Sequence, residues 1–189
     1  IVGNFSTAYD FGGGGIYCEN SSPIIRHCTI TDNWAYTGGG LDIRQSSVEM
    51  FGCLVAGNEA EYYGGGIFAE GPGAGQFASC TIAANSAGGY GGGLYGIDHE
   101  DSDFASCAFS DNVAPGGPQI ALEWYARPGV HFGEVAGGPD AVYISTAAFV
   151  RWTGTNVFES AAFVGAIAGD FHLNSDSPCR NSGDPLYVG

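Results

Sequence analysis

The densest group of potential metal ligands in the sequence is an acidic run between residues 98 and 103. It contributes four carboxylates, at Asp98, Glu100, Asp101 and Asp103. Calcium prefers several oxygen ligands on one loop, so a calcium site is one interpretation of the run, although the spacing matches no calcium-loop pattern, and we expect no other cofactor. The alternatives are a loop tip that is only solvated, as charged side chains commonly are, and a carboxylate pair for acid–base hydrolysis.

A second set of side chains has the composition of a carbohydrate-binding face. Four short segments each follow a glycine cluster, and their alternate residues form two rows that we expect to face outward. The rows are Tyr17, Asp42, Phe68, Tyr95 and Glu19, Arg44, Glu70, Ile97. Aromatic rings stack on sugar faces and charged groups bond hydroxyls. We therefore expect a polysaccharide or surface glycan to bind at Tyr17, Glu19, Asp42, Arg44, Phe68, Glu70 and Tyr95. The alternative is a solubilising face with cross-strand pairs such as Glu19–Arg44–Glu70.

The residues that polysaccharide-cleaving enzymes need are not clustered in the sequence. A lyase acting on uronates needs a base and cations, but the chain has no Lys and only five scattered Arg. An inverting hydrolase needs paired carboxylates, and Asp42 stands alone in its row. We assign no catalytic residue and favour a non-catalytic protein, with a polysaccharide lyase or glycoside hydrolase as the alternative.

Four cysteines recur at a regular interval, at Cys28, Cys53, Cys80 and Cys107. We interpret them as small buried hydrophobic residues in one interior column. Stacked side chains rarely meet the dihedral angle that a disulfide requires, and ligands in a line cannot surround a tetrahedral zinc ion. Cys18 and Cys179 lie outside the column, and their disulfide state is left open.

The elements that position all these residues come from an internal repeat. A glycine triplet followed by Ile or Leu begins at residues 13, 38, 64 and 91, and the cysteines each begin a six-residue block that ends in Asn. Within both blocks polar and apolar residues alternate, which is typical of strands. Copies of one strand spaced by about 26 residues stack as parallel sheets roughly 4.8 Å apart.

The repeat predicts an all-β fold, a single-stranded right-handed parallel β-helix of about seven coils with irregular C-terminal coils. We expect one domain over residues 1–189, with regular coils at 1–117, irregular coils at 118–168 and a closing segment at 169–189. Asn33, Asn58, Asn85 and Asn112 should form an internal amide ladder along the turns. Since Ile1 to Asn4 resembles the end of a coil, we expect the chain to be a piece of a longer protein.

Charge and hydropathy exclude two classes of partner. The formal net charge is −15, which repels nucleic acid and anionic membranes. No run of 18 apolar residues occurs, so we expect no membrane insertion. The outward residues of the Cys-led block are small and nearly uncharged, from Thr29 and Thr31 to Ala108 and Ser110, and such a face predicts lateral self-association.

The glycine block and the block ending in Asn, exemplified by Ile30–Asn33 and Val55–Asn58, resemble the repeats of polymorphic outer-membrane-type autotransporter passengers. They are still more similar to right-handed parallel β-helix regions of large secreted bacterial proteins. The resemblance implies secretion to the cell surface or exterior and a binding, adhesion or scaffold role. It implies no catalytic residue, because the family includes adhesins, surface proteins and carbohydrate-active enzymes.

Overall fold

The computed structural model is a right-handed parallel β-solenoid, which confirms the predicted fold. It describes residues 1–7, 12–73, 75–98, 101–131, 133–145, 147–166 and 169–179. Each of the first three coils contributes four short strands, where the repeat predicted two. Within the described residues, no helix has the length and apolar character needed to cross a membrane.

The Gly-led sheet follows the glycine triplets and has six strands. They are β1 (Ile16–Glu19), β5 (Leu41–Arg44), β9 (Ile67–Glu70), β13 (Leu94–Ile97), β16 (Ile120–Glu123) and β19 (Val142–Ile144). The middle sheet also has six strands. They are β2 (Ile24–Arg26), β6 (Glu49–Phe51), β10 (Gln76–Ala78), β14 (Asp103–Ala105), β17 (Gly129–His131) and β20 (Arg151–Thr153).

The Cys-led sheet follows the cysteine column and has five strands. They are β3 (Thr29–Thr31), β7 (Leu54–Ala56), β11 (Thr81–Ala83), β15 (Ala108–Ser110) and β18 (Glu134–Val135). The tyrosine sheet follows the Asn turns and consists of β4 (Trp34–Thr37), β8 (Glu59–Tyr63) and β12 (Ser86–Ala87). A 3₁₀ turn, Gly138–Ala141, precedes β19.

The described residues complete about five turns, so the prediction of about seven coils is wrong. The difference lies at the C-terminal side. There, β21 (Phe163–Gly165) and β22 (Asp170–Leu173) pair antiparallel as a hairpin instead of adding another coil. Residues 180–189 of the predicted closing segment lie outside the described part of the chain.

Inward-facing aliphatic and aromatic residues fill the solenoid. Ile30, Val55 and Ile82 are fully buried in one column of the Cys-led sheet. In the middle sheet, Phe77 stacks on Phe104 with ring centroids 4.4 Å apart. This strand alternation is what the sequence predicted, and it directs the neighbouring residues outward.

The predicted asparagine ladder is confirmed and extends further at both ends. Side-chain Nδ2 of Asn33 donates to Oδ1 of Asn58 at 2.8 Å, and the same bond joins Asn58 to Asn85 and Asn85 to Asn112 at 3.0 Å. Asn4 joins one end, and Gln119 accepts from Asn112 at 2.7 Å at the other. The ladder satisfies polar groups at every turn inside the protein.

The backbone conformation at the first glycine of the second triplet, Gly38, favours glycine over any other residue. Gly38 has φ +60°, and a Cβ there would lie 2.4 Å from the carbonyl oxygen of Leu41. Any other residue would be strained in this left-handed conformation. The turn therefore fixes where the Gly-led strand begins.

The cysteine column is a set of buried thiols, as predicted. Cys53, Cys80 and Cys107 are buried and Cys28 is partly exposed, and none of these four forms a disulfide. The adjacent Cys107 thiol, followed by burial, raises the pKa of Cys80 to about 12. A thiol that resists ionisation is a poor nucleophile and a poor metal ligand.

Candidate functional site

The predicted glycan face has the expected register but not the expected exposure. Tyr17, Asp42, Phe68 and Tyr95 are consecutive partners across β1, β5, β9 and β13. However, Asp42 is fully buried, and Phe68 and Tyr95 are 6% and 4% exposed. The expectation that these three side chains form an open binding face is therefore wrong.

The tyrosine sheet explains this burial. Its side chains lie over the outward row of the Gly-led sheet, where Tyr63 stacks on Tyr95 with centroids 4.9 Å apart. Tyr95 in turn stacks on Phe68 at 5.5 Å, and Tyr90 contacts Tyr143 at 4.7 Å. These residues form a second small hydrophobic cluster outside the solenoid interior. Burial, with Glu123 nearby, raises the pKa of the Tyr95 hydroxyl.

Asp42, Arg44 and Glu70 of the predicted face form an ion-pair network in which Arg44 binds both carboxylates. Arg44 donates from Nε to Oδ1 of Asp42 at 2.9 Å and from NH2 to its Oδ2 at 3.2 Å. Arg44 NH1 also donates to Glu70 at 2.6 Å, and its guanidinium lies 4.8 Å from the Phe68 ring centroid. Burial raises the pKa of Asp42, while Arg44 opposes this shift. The network crosslinks two coils. Arg44 neutralises the charge of Asp42, so this charge is not available to a ligand.

Tyr17, Glu19 and the side chain of Glu70 are the members of the predicted face that remain exposed. Tyr17 is 38% exposed and hydrogen-bonds the Glu19 carboxylate. Partial burial, followed by Glu19, raises the pKa of Tyr17. A single ring beside a carboxylate offers one sugar contact and not an extended platform.

An extended aromatic surface does exist, on the adjacent tyrosine sheet. We call it the aromatic stripe, and it comprises Phe5, Trp34, Tyr36, Tyr62, Tyr63 and Tyr90. Phe5 stacks on Trp34 with centroids 4.3 Å apart, and Tyr36 stacks on Tyr62 at 5.9 Å. Tyr63 continues the series to Tyr90 at 6.3 Å. The rings are partly to largely exposed, so they line the surface along the solenoid axis.

The local sequence accounts for the stripe. After each ladder Asn, Ala35, Ala60 and Ala87 point inward and are buried, which directs their neighbours outward. The register between β4 and β8 then shifts between Ala35 and Thr37. Such a bulge re-aims side chains, and it allows both Tyr62 and Tyr63 to reach the outer surface. A search for aromatic residues after the repeated Asn-x-Ala pattern would have found most of the stripe.

Polar groups border the aromatic stripe on its own sheet. Trp34, Glu59 and Ser86 are consecutive partners across the sheet, and Glu59 and Glu61 are exposed. A shallow depression of about 310 Å³ lies beside them, lined by Glu59, Glu61 and Ser86 among others. Rings flanked by carboxylate and hydroxyl oxygens suit a ligand with apolar faces and many hydroxyl groups.

The predicted calcium loop does not bring its carboxylates together in the described residues. Asp103 binds Arg151 at 3.2 Å and His131 at 2.9 Å, and Asp101 lies 3.7 Å from Arg151. Asp98 is exposed, and Glu100 lies outside the described residues. Where the structure describes the chain, no three His, Cys, Asp or Glu side chains converge on one point.

His131 links three coils of the middle sheet. Its Nε2 contacts Asp103 at 2.9 Å and its Nδ1 contacts the hydroxyl of Thr153. Gly129 makes room for this contact, since a Cβ there would lie 2.3 Å from Asp103 Oδ1 and 2.6 Å from His131 Nε2. A hydroxyl, an imidazole and a carboxylate in this order can activate a nucleophile. Here the Asp103 carboxylate is also paired with Arg151, and the cluster connects neighbouring coils of the middle sheet.

The face predicted to self-associate is covered by the chain's own hairpin. Phe171 of β22 lines the spaces against β3, β7 and β11, and Phe163 of β21 lies near β15 and β18. Ala56, Ala83 and Ser110 in this face are buried. The hairpin therefore lies over part of this face.

Comparison with known proteins agrees with the geometry. A family model described as "right handed beta helix region" matches residues 2–132. No curated protein and no solved structure matches the chain.

Proposed function

Because this chain belongs to the right-handed β-helix family, we propose that it is a secreted or cell-surface module that binds a glycan along the aromatic stripe without cleaving it. The observation that carries the proposal is the continuous set of partly to largely exposed rings from Phe5 to Tyr90. Stacked strands repeat roughly every 4.8 Å along the axis, so the rings lie along the direction that an extended polymer would follow.

The charge of the protein favours a neutral glycan. With a net charge of −15 and two exposed glutamates beside the stripe, the surface repels uronic acids and sulfated sugars. Glu59 and Glu61 would instead accept hydrogen bonds from sugar hydroxyls while the rings stack on the sugar faces. The likeness to autotransporter passenger repeats supports display at a cell surface.

The proposal differs from two alternatives that the sequence left open. A polysaccharide lyase or glycoside hydrolase would release products, and a purely structural protein would self-associate without a ligand. The exposed stripe favours binding over both, since neither alternative requires a row of surface aromatic rings.

A glycan array followed by calorimetric titration tests the proposal. We expect a neutral polysaccharide to bind the chain. The double substitution Trp34→Ala with Tyr62→Ala should abolish binding, whereas Tyr125→Ala, which removes a ring 59% exposed on another part of the surface, should leave binding intact. If Tyr17→Ala abolishes binding and the double substitution does not, the glycan binds at the Gly-led sheet and not at the aromatic stripe. Release of reducing ends from the bound polysaccharide would establish the enzyme alternative.

A further inference from the structure

A cavity of about 200 Å³ lies between the Cys-led sheet and the hairpin. Its wall includes Glu134 of β18, Phe163 and Phe171 of the hairpin, Cys107 and Cys179. Glu134 is the register partner of Ala108, and Val135 beside it faces the solenoid interior and is fully buried. Strand alternation therefore points Glu134 outward into the cavity, where the hairpin leaves it only 2% exposed.

Neither carboxylate oxygen of Glu134 has a hydrogen-bond partner among the described residues. A buried polar group without a partner is uncommon and costs free energy. Burial, followed by the charge of Asp111, raises the pKa of Glu134 to about 9, and a nearby backbone N–H of Phe109 opposes the shift only weakly. The group is thus held as a neutral acid in a largely apolar space.

We propose that this cavity binds a small organic ammonium ion, with the Glu134 carboxylate as its counter-ion. The Phe163 and Phe171 rings, whose centroids are 5.4 Å apart in an edge-on arrangement, supply faces that attract cations. The cavity is smaller than the roughly 300–1,000 Å³ of typical drug-sized ligand sites, which restricts the ligand to a few heavy atoms.

The surroundings favour an organic cation over the other ligand classes. The net charge of −15 concentrates cations near the protein, and the charge of Asp111 disfavours an anion at this site. Within the described part of the chain, no three potential metal ligands gather at one place, which disfavours a bare metal ion. The site is separate from the aromatic stripe and does not depend on glycan binding.

Binding in this site releases a proton. At neutral pH Glu134 carries its proton, and pairing with an ammonium ion requires the carboxylate, so the proton passes to solvent. The other ionisable groups near Glu134 are Asp111, Cys107 and Cys179, and Glu159 lies close to Cys179. The pKa of Cys179 is raised to about 11, mainly by burial and then by Glu134. The raised pKa keeps the Cys179 thiol neutral at neutral pH, so the released proton comes from Glu134.

Titration calorimetry with methylammonium, tetramethylammonium and choline chlorides tests the site on the purified chain. We expect at least one probe to bind, with an affinity about tenfold higher per pH unit between about pH 6 and pH 8. The apparent heat should vary with the ionisation enthalpy of the buffer because a proton is released. Ethanol and tert-butanol, as neutral probes, should not bind.

Two variants and one control assign the binding to this cavity. Glu134→Gln, which keeps the shape of the side chain, should weaken binding at least tenfold. Phe171→Leu should weaken it several-fold, and Glu70→Gln, on another face, should not change it. The proposal is overturned if no ammonium probe binds, if Glu134→Gln binds as tightly as the parent, or if the neutral probes bind equally well. Circular dichroism of each variant verifies that it is folded.

Discussion

Asn58 and Asn85 are joined by two hydrogen bonds to one oxygen. The Oδ1 atom of Asn85 accepts from the backbone N–H of Asn58 at 3.0 Å and from its side-chain Nδ2 at 3.0 Å. The same Nδ2 also donates to the carbonyl of Ile30 at 2.9 Å. Each rung of the ladder thus connects three neighbouring coils inside the protein, and this fixes the stacking that places the aromatic stripe on the surface.

The ladder predicts a large effect of Asn58→Ala on stability. The substitution removes the Oδ1 acceptor of the Asn33 backbone and side-chain N–H groups, and the Nδ2 donor to Asn85 Oδ1 and to the Ile30 carbonyl. Since each buried unpaired group costs about 1–3 kcal/mol, we expect the free energy of unfolding to fall by about 3 kcal/mol in urea denaturation. Gln76→Ala, at an exposed position, should change it by less than about 0.5 kcal/mol. Equal effects of the two substitutions would contradict the role of the ladder.

The buried ion pair predicts different costs for its two carboxylates. Asp42→Asn removes a fully buried partner of Arg44, whose own side chain is 14% exposed, and we expect a loss of about 3–5 kcal/mol in the free energy of unfolding. Glu70, 44% exposed, makes a pair that solvent screens, so Glu70→Gln should cost less than about 1 kcal/mol. Chemical denaturation of both variants measures the difference. A larger loss of stability for Glu70→Gln than for Asp42→Asn would contradict the prediction that the buried pair contributes more to stability.

The raised pKa of Glu134 predicts that the free energy of unfolding falls as pH rises. Its pKa is about 9 in the folded protein and 4.5 ordinarily, so between these values the folded state holds a proton that the unfolded state has lost. The free energy of unfolding therefore falls as pH rises, with a slope from this group of at most about 1.4 kcal/mol per pH unit. Denaturation of Glu134→Gln across this window should show a flatter profile. An unchanged slope would show that Glu134 ionises normally.

Because the hairpin lies over the small-residue face of the Cys-led sheet, we predict that the parent chain does not self-associate through this face. The double substitution Phe163→Ala with Phe171→Ala removes the rings that cover the outer face of the Cys-led sheet. We expect the uncovered small-residue face to associate, giving elution from size exclusion that depends on concentration. The parent chain should not show this dependence. A variant that elutes as the parent does at every concentration would contradict the hairpin as the cover of that face.

The repeat made the parallel sheets and the asparagine ladder predictable, because a fixed period places identical residues in register. The burial of Asp42 and Tyr95 was not predictable in this way, since it depends on a fourth strand whose tyrosines follow no constant spacing. The bulge near Tyr62 disrupts that spacing further. The pairing of Asp103 with Arg151 joins residues 48 positions apart in sequence, and the antiparallel hairpin lies outside the repeat altogether.

Tryptophan fluorescence tests the aromatic stripe most directly. The chain has three Trp residues, and Trp34 is the one that lies in the stripe. A Trp124→Phe, Trp152→Phe variant therefore reports on Trp34 alone. We predict that a neutral polysaccharide identified by the array shifts or quenches this emission in a saturable way, and that adding Tyr62→Ala abolishes the change. If the polysaccharide binds the variant while Trp34 emission stays constant, the ligand lies elsewhere and the stripe is not the binding site.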